Sequence, residues 1–157
     1  MKKKYELTEE TIEVNGRILH RIKAVRDFGC VKAGDLGGFI QKEENLSIEG
    51  NSWVYGDAKV YGDAKVYDDA KVYGDARVCG DAEIKNNTDY IVFKNFWSSG
   101  RFFTWTRSNN MWKVGCFYGT GEELIKKAYE DSKKSGREYE RVVRYVESIL
   151  ADERKEE

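Results

Sequence analysis

The chain has one histidine, no proline and three cysteines among its 157 residues. Cys30, Cys79 and Cys116 lie far apart and form no CxxC pair, which argues against a zinc site and against a disulfide framework. Because His20 is the only histidine, no Cys-His or Ser-His-Asp arrangement is evident either. We therefore expect three small thiols in a reducing compartment, no metal and no cofactor.

The sequence also lacks a charge excess and long apolar runs. Lys and Arg number 27 against 28 Asp and Glu, a formal net charge of −1, which argues against binding to double-stranded DNA. No apolar run is long enough to span a bilayer, and no apolar stretch follows the lysines at residues 2–4. We expect a cytoplasmic protein that makes no membrane contact.

An internal repeat of six residues is the strongest feature of the sequence. From Val54 the chain reads VYGDAK, VYGDAK, VYDDAK, VYGDAR and VCGDAE, and the register extends over residues 48–89 as seven hexads. Position 1 is aliphatic, position 5 is small, and positions 3 and 4 are mostly the turn pair Gly-Asp. β-branched residues and glycine recur every six residues without helical spacing. The pattern predicts short strands separated by bends, with valine and alanine facing inward.

These hexads resemble the hexapeptide repeat of left-handed parallel β-helices, in which three hexads make one triangular coil of about 18 residues. The resemblance implies that Val54 stacks under Val72 and Tyr55 under Tyr73. Tyrosine at position 2 departs from the usual pattern and would put bulky rings on the outer wall. Because proteins of this kind commonly trimerise along their walls, we expect a homo-oligomer, a dimer or trimer, through Tyr55, Tyr61, Tyr67 and Tyr73.

The segments around the repeat define three regions: residues 1–47, 48–89 and 90–157. In the first, Asn15-Gly16 between alternating runs predicts a β-hairpin, which is followed by a glycine-rich leader. The predicted fold class is mainly β: a short left-handed parallel β-helix with an N-terminal hairpin and a C-terminal α+β unit.

The C-terminal region is predicted to contain three strands and two helices. Thr120-Gly121-Glu122-Glu123 reads as a capping box that opens the first helix. Ser135-Gly136 is expected to break the chain before the second helix, whose apolar residues recur at three- and four-residue spacing. The end of that helix is expected to fray from Asp152.

Three successive segments also resemble a group of phage and prophage proteins: GDLGGFI, ENLS and GNSWVYGDAKV. These carry a GDLGG…NLS leader, WVYG-type hexads and a small C-terminal domain, which GCFYGT also resembles. The resemblance implies a phage origin and the cytoplasm of a bacterial host. It favours a non-enzymatic binding protein that inhibits a host defence system, by binding a defence protein or by sequestering a nucleotide signal.

Two other functions are open from the sequence. One is a structural or assembly module with the repeat as a spacer. The other is a degenerate acyltransferase, since hexapeptide prisms are best known from such enzymes. Those enzymes use a histidine in or beside the coils and an extended loop, and residues 48–89 contain neither. We therefore expect no enzymatic activity.

The predicted binding site is the C-terminal hairpin. Arg101, Trp105 and Arg107 alternate onto one strand face, and Trp112 and Lys113 lie on the partner strand. Rings beside cations suit an anionic nucleotide, through stacking and phosphate contacts. The alternative is that the rings form the core of the small domain, with the arginines at its rim.

Overall fold

A computed structural model describes residues 3–156 of the chain. Strands β1 (Tyr5–Val14) and β2 (Arg17–Ala24) form an antiparallel hairpin. Its turn residues, Asn15 and Gly16, have positive φ angles of 50° and 79°. Two positive φ angles in a two-residue loop are the geometry that Asn-Gly favours. The hairpin predicted from this dipeptide is therefore present.

Strand β3 (Leu36–Ile40) joins the hairpin to the repeat. On one side it pairs antiparallel with β2. On the other side it pairs parallel with a strand of the repeat, Lys59–Val60. The short 3₁₀ turn Glu43–Asn45 follows β3. Asn45 is buried there, and its side-chain amide donates to the Gly62 and Ala64 carbonyls at 3.1 and 2.8 Å. The leader thus supplies hydrogen-bond donors to the carbonyls of the first repeat coil.

The repeat forms six two-residue strands. They are β4 (Trp53–Val54), β5 (Lys59–Val60), β6 (Lys65–Val66), β7 (Lys71–Val72), β8 (Arg77–Val78) and β9 (Glu83–Ile84). The pairs β4–β7, β5–β8 and β6–β9 are all parallel, with partners 18 residues apart. The chain therefore returns onto itself after every third hexad, as the resemblance to hexapeptide repeats implied. The first hexad is an exception, because no strand includes Ile48.

The interior of the repeat is made by two hexad positions. The aliphatic residues of the strands and the alanines at position 5 are at most 1% exposed. The bend between strands needs a left-handed residue at position 3, where the glycines have φ between 59° and 70°. Asp68 occupies this position in one hexad with φ 55°, a conformation that costs a non-glycine residue free energy.

The C-terminal region is a four-stranded antiparallel sheet in chain order, followed by two helices. The strands are β10 (Tyr90–Lys94), β11 (Phe102–Thr106), β12 (Met111–Val114) and β13 (Phe117–Gly119), and the helices are α1 (Gly121–Asp131) and α2 (Lys133–Glu156). The prediction of three strands was wrong because Gly115, at φ 53°, turns the chain between β12 and β13. None of the helices in residues 3–156 has the length and apolarity needed to cross a bilayer.

The two helix ends also differ from the sequence prediction. The break lies at Ser132, and Gly136 is inside α2, where it packs against the ring of Tyr129. The helix continues to Glu156, and Arg107, which follows β11, donates to the Glu153 carboxylate in its last turns at 2.6 Å. The capping box is confirmed, since Thr120 and Glu123 exchange side-chain and backbone hydrogen bonds of 2.9 and 3.2 Å.

The C-terminal sheet closes the open end of the repeat. Inside the repeat, each strand amide donates to a carbonyl of the next coil, as Lys59 does to Ala76 at 2.9 Å. The last coil has no further coil to supply backbone carbonyls, and side-chain oxygens accept these hydrogen bonds instead. Its amides at residues 71, 73, 77 and 83 donate to the oxygens of Asn87, Tyr90, Thr104 and Ser108, respectively. The opposite sheet face packs on the helices.

Candidate functional site: an electropositive groove beside the repeat

The two tryptophans of the predicted site lie in the core of the C-terminal region. Trp105 and Trp112 are paired across β11 and β12, and each is 1% exposed. They pack with Phe103, Tyr139 and Val143 between the sheet and the helices. A nucleotide therefore has no indole face on which to stack, and the alternative that the rings form the core describes this structure.

The three cations of that prediction are separated by the sheet. Arg107 makes two hydrogen bonds to Glu153, at 2.6 and 3.3 Å, and a third to the Thr88 carbonyl. Arg101 is exposed and lies over Gly115. Lys113 is buried, at 5% exposure, on the sheet face opposite Trp112. Lys113 therefore faces the repeat, whereas Arg101 borders a concavity on each side of the sheet, one with Arg77 and one with Tyr139.

The four position-2 tyrosines do not form one wall. Tyr55 and Tyr73 belong to one stack, and their rings are parallel within 15° at a centroid distance of 4.7 Å. Tyr61 is on the next face, buried at 4% exposure beneath Val14 and Phe39 of the hairpin sheet. Tyr67 is on the third face. Each hexad turns one corner of the three-sided coil, so consecutive tyrosines point in different directions.

A groove of about 640 Å³ lies where the hairpin, the repeat and the C-terminal sheet meet. We call it the junction groove. Its lining comes from the hairpin turn, one face of the repeat, and strands β12 and β13 with their turn: Asn15, Arg17, Tyr61, Gly62, Asp63, Cys79, Gly80, Lys113, Cys116 and Tyr118.

The space for this groove comes from a departure in the repeat. Cys79 stands at position 2, where the preceding four hexads have tyrosine. The small thiol leaves room above Tyr61 that a phenol ring would fill. Gly80, the next residue, is in contact with the phenol of Tyr118, so a side chain at this position would collide with it.

The Tyr61 hydroxyl is buried in the wall of the groove beside the Cys79 thiol, which is a weak acceptor. Among residues 3–156 it is the one buried side-chain nitrogen or oxygen without a hydrogen-bond partner. Burial, followed by the neighbouring Cys79 thiol, raises the pKa of Tyr61 well above its usual value, so the group keeps its proton at neutral pH. A buried hydroxyl with only a weak acceptor beside it would gain free energy from an incoming oxygen acceptor.

Lys113 is the second unusual group in the junction groove. Burial lowers its pKa, the Cys79 thiol raises it and the charge of Arg77 lowers it. Within residues 3–156, no carboxylate lies at ion-pair distance from its ammonium. The one acidic residue of the lining, Asp63, is already paired with Lys42 at 3.2 Å. The groove therefore has an excess of positive charge.

No histidine lines the groove, and its two thiols are the buried Cys79 and the exposed Cys116. Burial raises the pKa of the Cys79 thiol, which keeps it protonated and weakly reactive. His20 lies in β2, where its Nδ1 is 3.0 Å from the Thr8 carbonyl oxygen, and it is not part of the groove lining. In the described part of the chain, no group of three or more His, Cys, Asp or Glu side chains could hold a metal ion.

Sequence reasoning identified Lys113 but missed Arg17, Tyr61 and Cys79 as members of one site. These residues come from three regions, and no local pattern shows that they meet. The available signal was the replacement of tyrosine by Cys79 in an otherwise regular repeat.

Part of the chain is similar in sequence to a curated protein. No protein-family model matches the chain. It is 39% identical over 61 residues to a protein of Escherichia coli (strain K12) named "Uncharacterized acetyltransferase YdcK". The match covers 34% of this chain and 19% of that protein, so the chain spans about a fifth of its relative's length.

Proposed function

We propose that this protein is a non-enzymatic binding protein whose junction groove holds a small anionic ligand of the nucleotide class. The observation that carries the proposal is the pair formed by Lys113, a buried cation without a counter-ion, and Tyr61, a buried hydroxyl with no acceptor beside it except the weak one of the Cys79 thiol. A phosphate group would supply negative charge to the first and acceptor oxygens to the second.

The dimensions and composition of the groove support the same class of ligand. A volume of about 640 Å³ is within the range of small-molecule sites. Arg17 adds a second cation at the rim, where it donates to the Gln41 side chain at 3.0 Å and pairs with no carboxylate among the described residues. An exposed tyrosine, Tyr118, offers a ring at the opposite side.

The biological role that we propose is the sequestration of a nucleotide signal of a host defence system. It is supported by the resemblance of the leader and hexads to phage proteins. We also propose that the repeat is a left-handed parallel β-helix, supported by its 18-residue strand pairing and by the resemblance of its hexads.

Acetyl transfer is the second candidate, and the name of the partial relative favours it. The protonated state of Cys79 and the position of His20 outside the groove argue against these two residues as nucleophile and base. Transfer of labelled acetyl groups from acetyl-coenzyme A to a panel of amines and alcohols by the purified protein would favour this candidate over simple binding.

The test of the binding proposal is calorimetric titration of inorganic phosphate and AMP into wild type and two variants. Lys113→Gln should weaken AMP binding at least tenfold, because it removes the buried charge. Tyr61→Phe should weaken it several-fold and change the melting temperature little, because the variant loses only the hydroxyl and its weak contact with the Cys79 thiol.

Lys65→Gln is the matched control, since Lys65 is an exposed lysine of the repeat outside the groove lining. It should bind AMP as the wild type does. If the wild-type protein binds neither phosphate nor AMP, or if the two groove variants bind as tightly as wild type, the proposal is wrong.

A further inference from the structure

A smaller depression of about 140 Å³ lies beside the junction groove. It is lined by Lys59, Asp75, Arg77, Arg101, Phe102 and Gly115. Gly115 belongs to this depression and the next residue, Cys116, belongs to the groove. The turn between β12 and β13 therefore separates the two concavities.

Positive charge also exceeds negative charge in this depression. Asp75 is the one carboxylate in its lining, against three cations. Neither Arg77 nor Arg101 forms an ion pair within residues 3–156, and the Lys59 ammonium donates to a backbone carbonyl, that of Asp57, at 3.0 Å. Burial, followed by the charge of Arg77, lowers the pKa of Lys59.

Arg77 couples the two concavities. Its charge lowers the pKa of Lys59 in the depression and the pKa of Lys113 in the groove. Like charges held close together repel, and the repulsion is relieved when an anion binds between them. One ligand with two linked phosphates would relieve this repulsion in both concavities at once, whereas two separate anions would repel each other.

We infer that the depression is a second phosphate subsite, and that the ligand carries two phosphate groups on either side of one nucleoside. This inference rests on the proposed function, because the first phosphate is the one bound by Lys113 and Tyr61. The second phosphate lies between Arg77 and Arg101. Phe102, 38% exposed at the rim, gives the base a ring on which to stack.

The experiment compares AMP with adenosine 3′,5′-bisphosphate by calorimetry. Wild type should bind the bisphosphate at least tenfold more tightly than AMP. Arg101→Gln should abolish this preference and leave AMP affinity unchanged, since Arg101 is exposed and does not line the groove. Arg77→Gln should also abolish it. Arg137→Gln, an exposed position on α2, is the control and should keep the preference.

ADP tests whether the two phosphates must lie on opposite sides of the nucleoside, because both of its phosphates are on the 5′ side. It should bind less tightly than the 3′,5′-bisphosphate. Equal affinities for AMP and the bisphosphate, or a preference that survives in Arg101→Gln, would overturn the second subsite. If AMP binding still depended on Lys113, the proposed function would stand. If neither nucleotide bound, the proposed function and this inference would both fail.

Discussion

The backbone amide of Arg77 donates a hydrogen bond to the side-chain hydroxyl of Thr104, 2.9 Å away. One coil earlier, the equivalent amide of Lys59 donates to a backbone carbonyl at the same distance. The threonine hydroxyl of the C-terminal sheet thus takes the place of a missing coil. A parallel stack with so few coils would otherwise present unpaired strand edges to other chains.

Replacing this hydroxyl should destabilise the fold. Thr104→Val keeps the shape of the side chain, which is 2% exposed, and leaves the Arg77 amide without an acceptor. We expect a loss of about 1–3 kcal/mol in the free energy of unfolding, measured by urea denaturation. Thr11→Val, at an exposed strand position, should change it by less than about 0.5 kcal/mol. Equal losses would show that the capping bond is unimportant.

Asp68 should be a point of conformational strain in the repeat. It has φ 55° at the position where five of the other six hexads have glycine. Asp68→Gly should stabilise the protein by about 1 kcal/mol. The reverse change, Gly74→Asp, introduces aspartate at φ 63°, where no atom lies within 4 Å of the new Cβ, and should destabilise it similarly. Thermal melts of both variants that shift in the same direction would contradict this explanation.

Lys4 should make stability depend on pH. Its side chain is fully buried and donates to the Ser52 carbonyl at 2.7 Å. Burial, reinforced by the charge of Arg26 and opposed by Asp69, lowers its pKa from 10.5 to about 8. Between these two values the unfolded chain binds more protons than the folded chain. The contribution of Lys4 to stability therefore rises with pH across this window and is least favourable below pH 8.

The measurement is the free energy of unfolding of wild type and Lys4→Met at pH 7 and pH 9.5. Wild type should gain on the order of 1–2 kcal/mol relative to the variant between these pH values. Lys3→Met, at an exposed position, should track the wild type. A constant difference between wild type and Lys4→Met would mean that the Lys4 ammonium is not held in a desolvated environment.

The oligomer expected from the sequence stays a prediction. The tyrosine surface that could mediate it is smaller than the sequence indicated. Tyr61 is covered by the hairpin, and the stacked pair Tyr55 and Tyr73 remains, with Tyr73 48% exposed. If this pair mediates a dimer or trimer, Tyr73→Arg should dissociate it without unfolding the protein. Light scattering of the wild type that shows a monomer at all micromolar concentrations would rule out the oligomer.

The six-residue period predicted one short strand and one bend per hexad, and the resemblance to hexapeptide repeats implied a strand partner 18 residues away. The C-terminal sheet was harder to predict, since both faces of β11 are buried. Thr104 and Thr106 read as solvent-facing residues between Phe103 and Trp105, yet they are 2% and 4% exposed. Alternation shows which residues share a face, and it does not show what covers each face.

The junction groove could not be predicted because its parts meet only after the three regions pack. Arg17 and Lys113 are almost a hundred residues apart, and neither has a neighbour in sequence that indicates the other. Cys79 stands out in the sequence because it interrupts a regular repeat. That this position borders a groove depends on Tyr118 and Gly80, which form one side of the groove.

The most direct test of the proposed site is a map of amide chemical-shift changes on adding AMP to the ¹⁵N-labelled protein. We expect the largest changes at Gly62, Cys79, Gly80 and Cys116, which line the groove, and a weaker response of the same amides in Tyr61→Phe. Saturable changes confined to the Tyr55–Tyr73 face or to the helices, with the groove amides unmoved, would contradict the account.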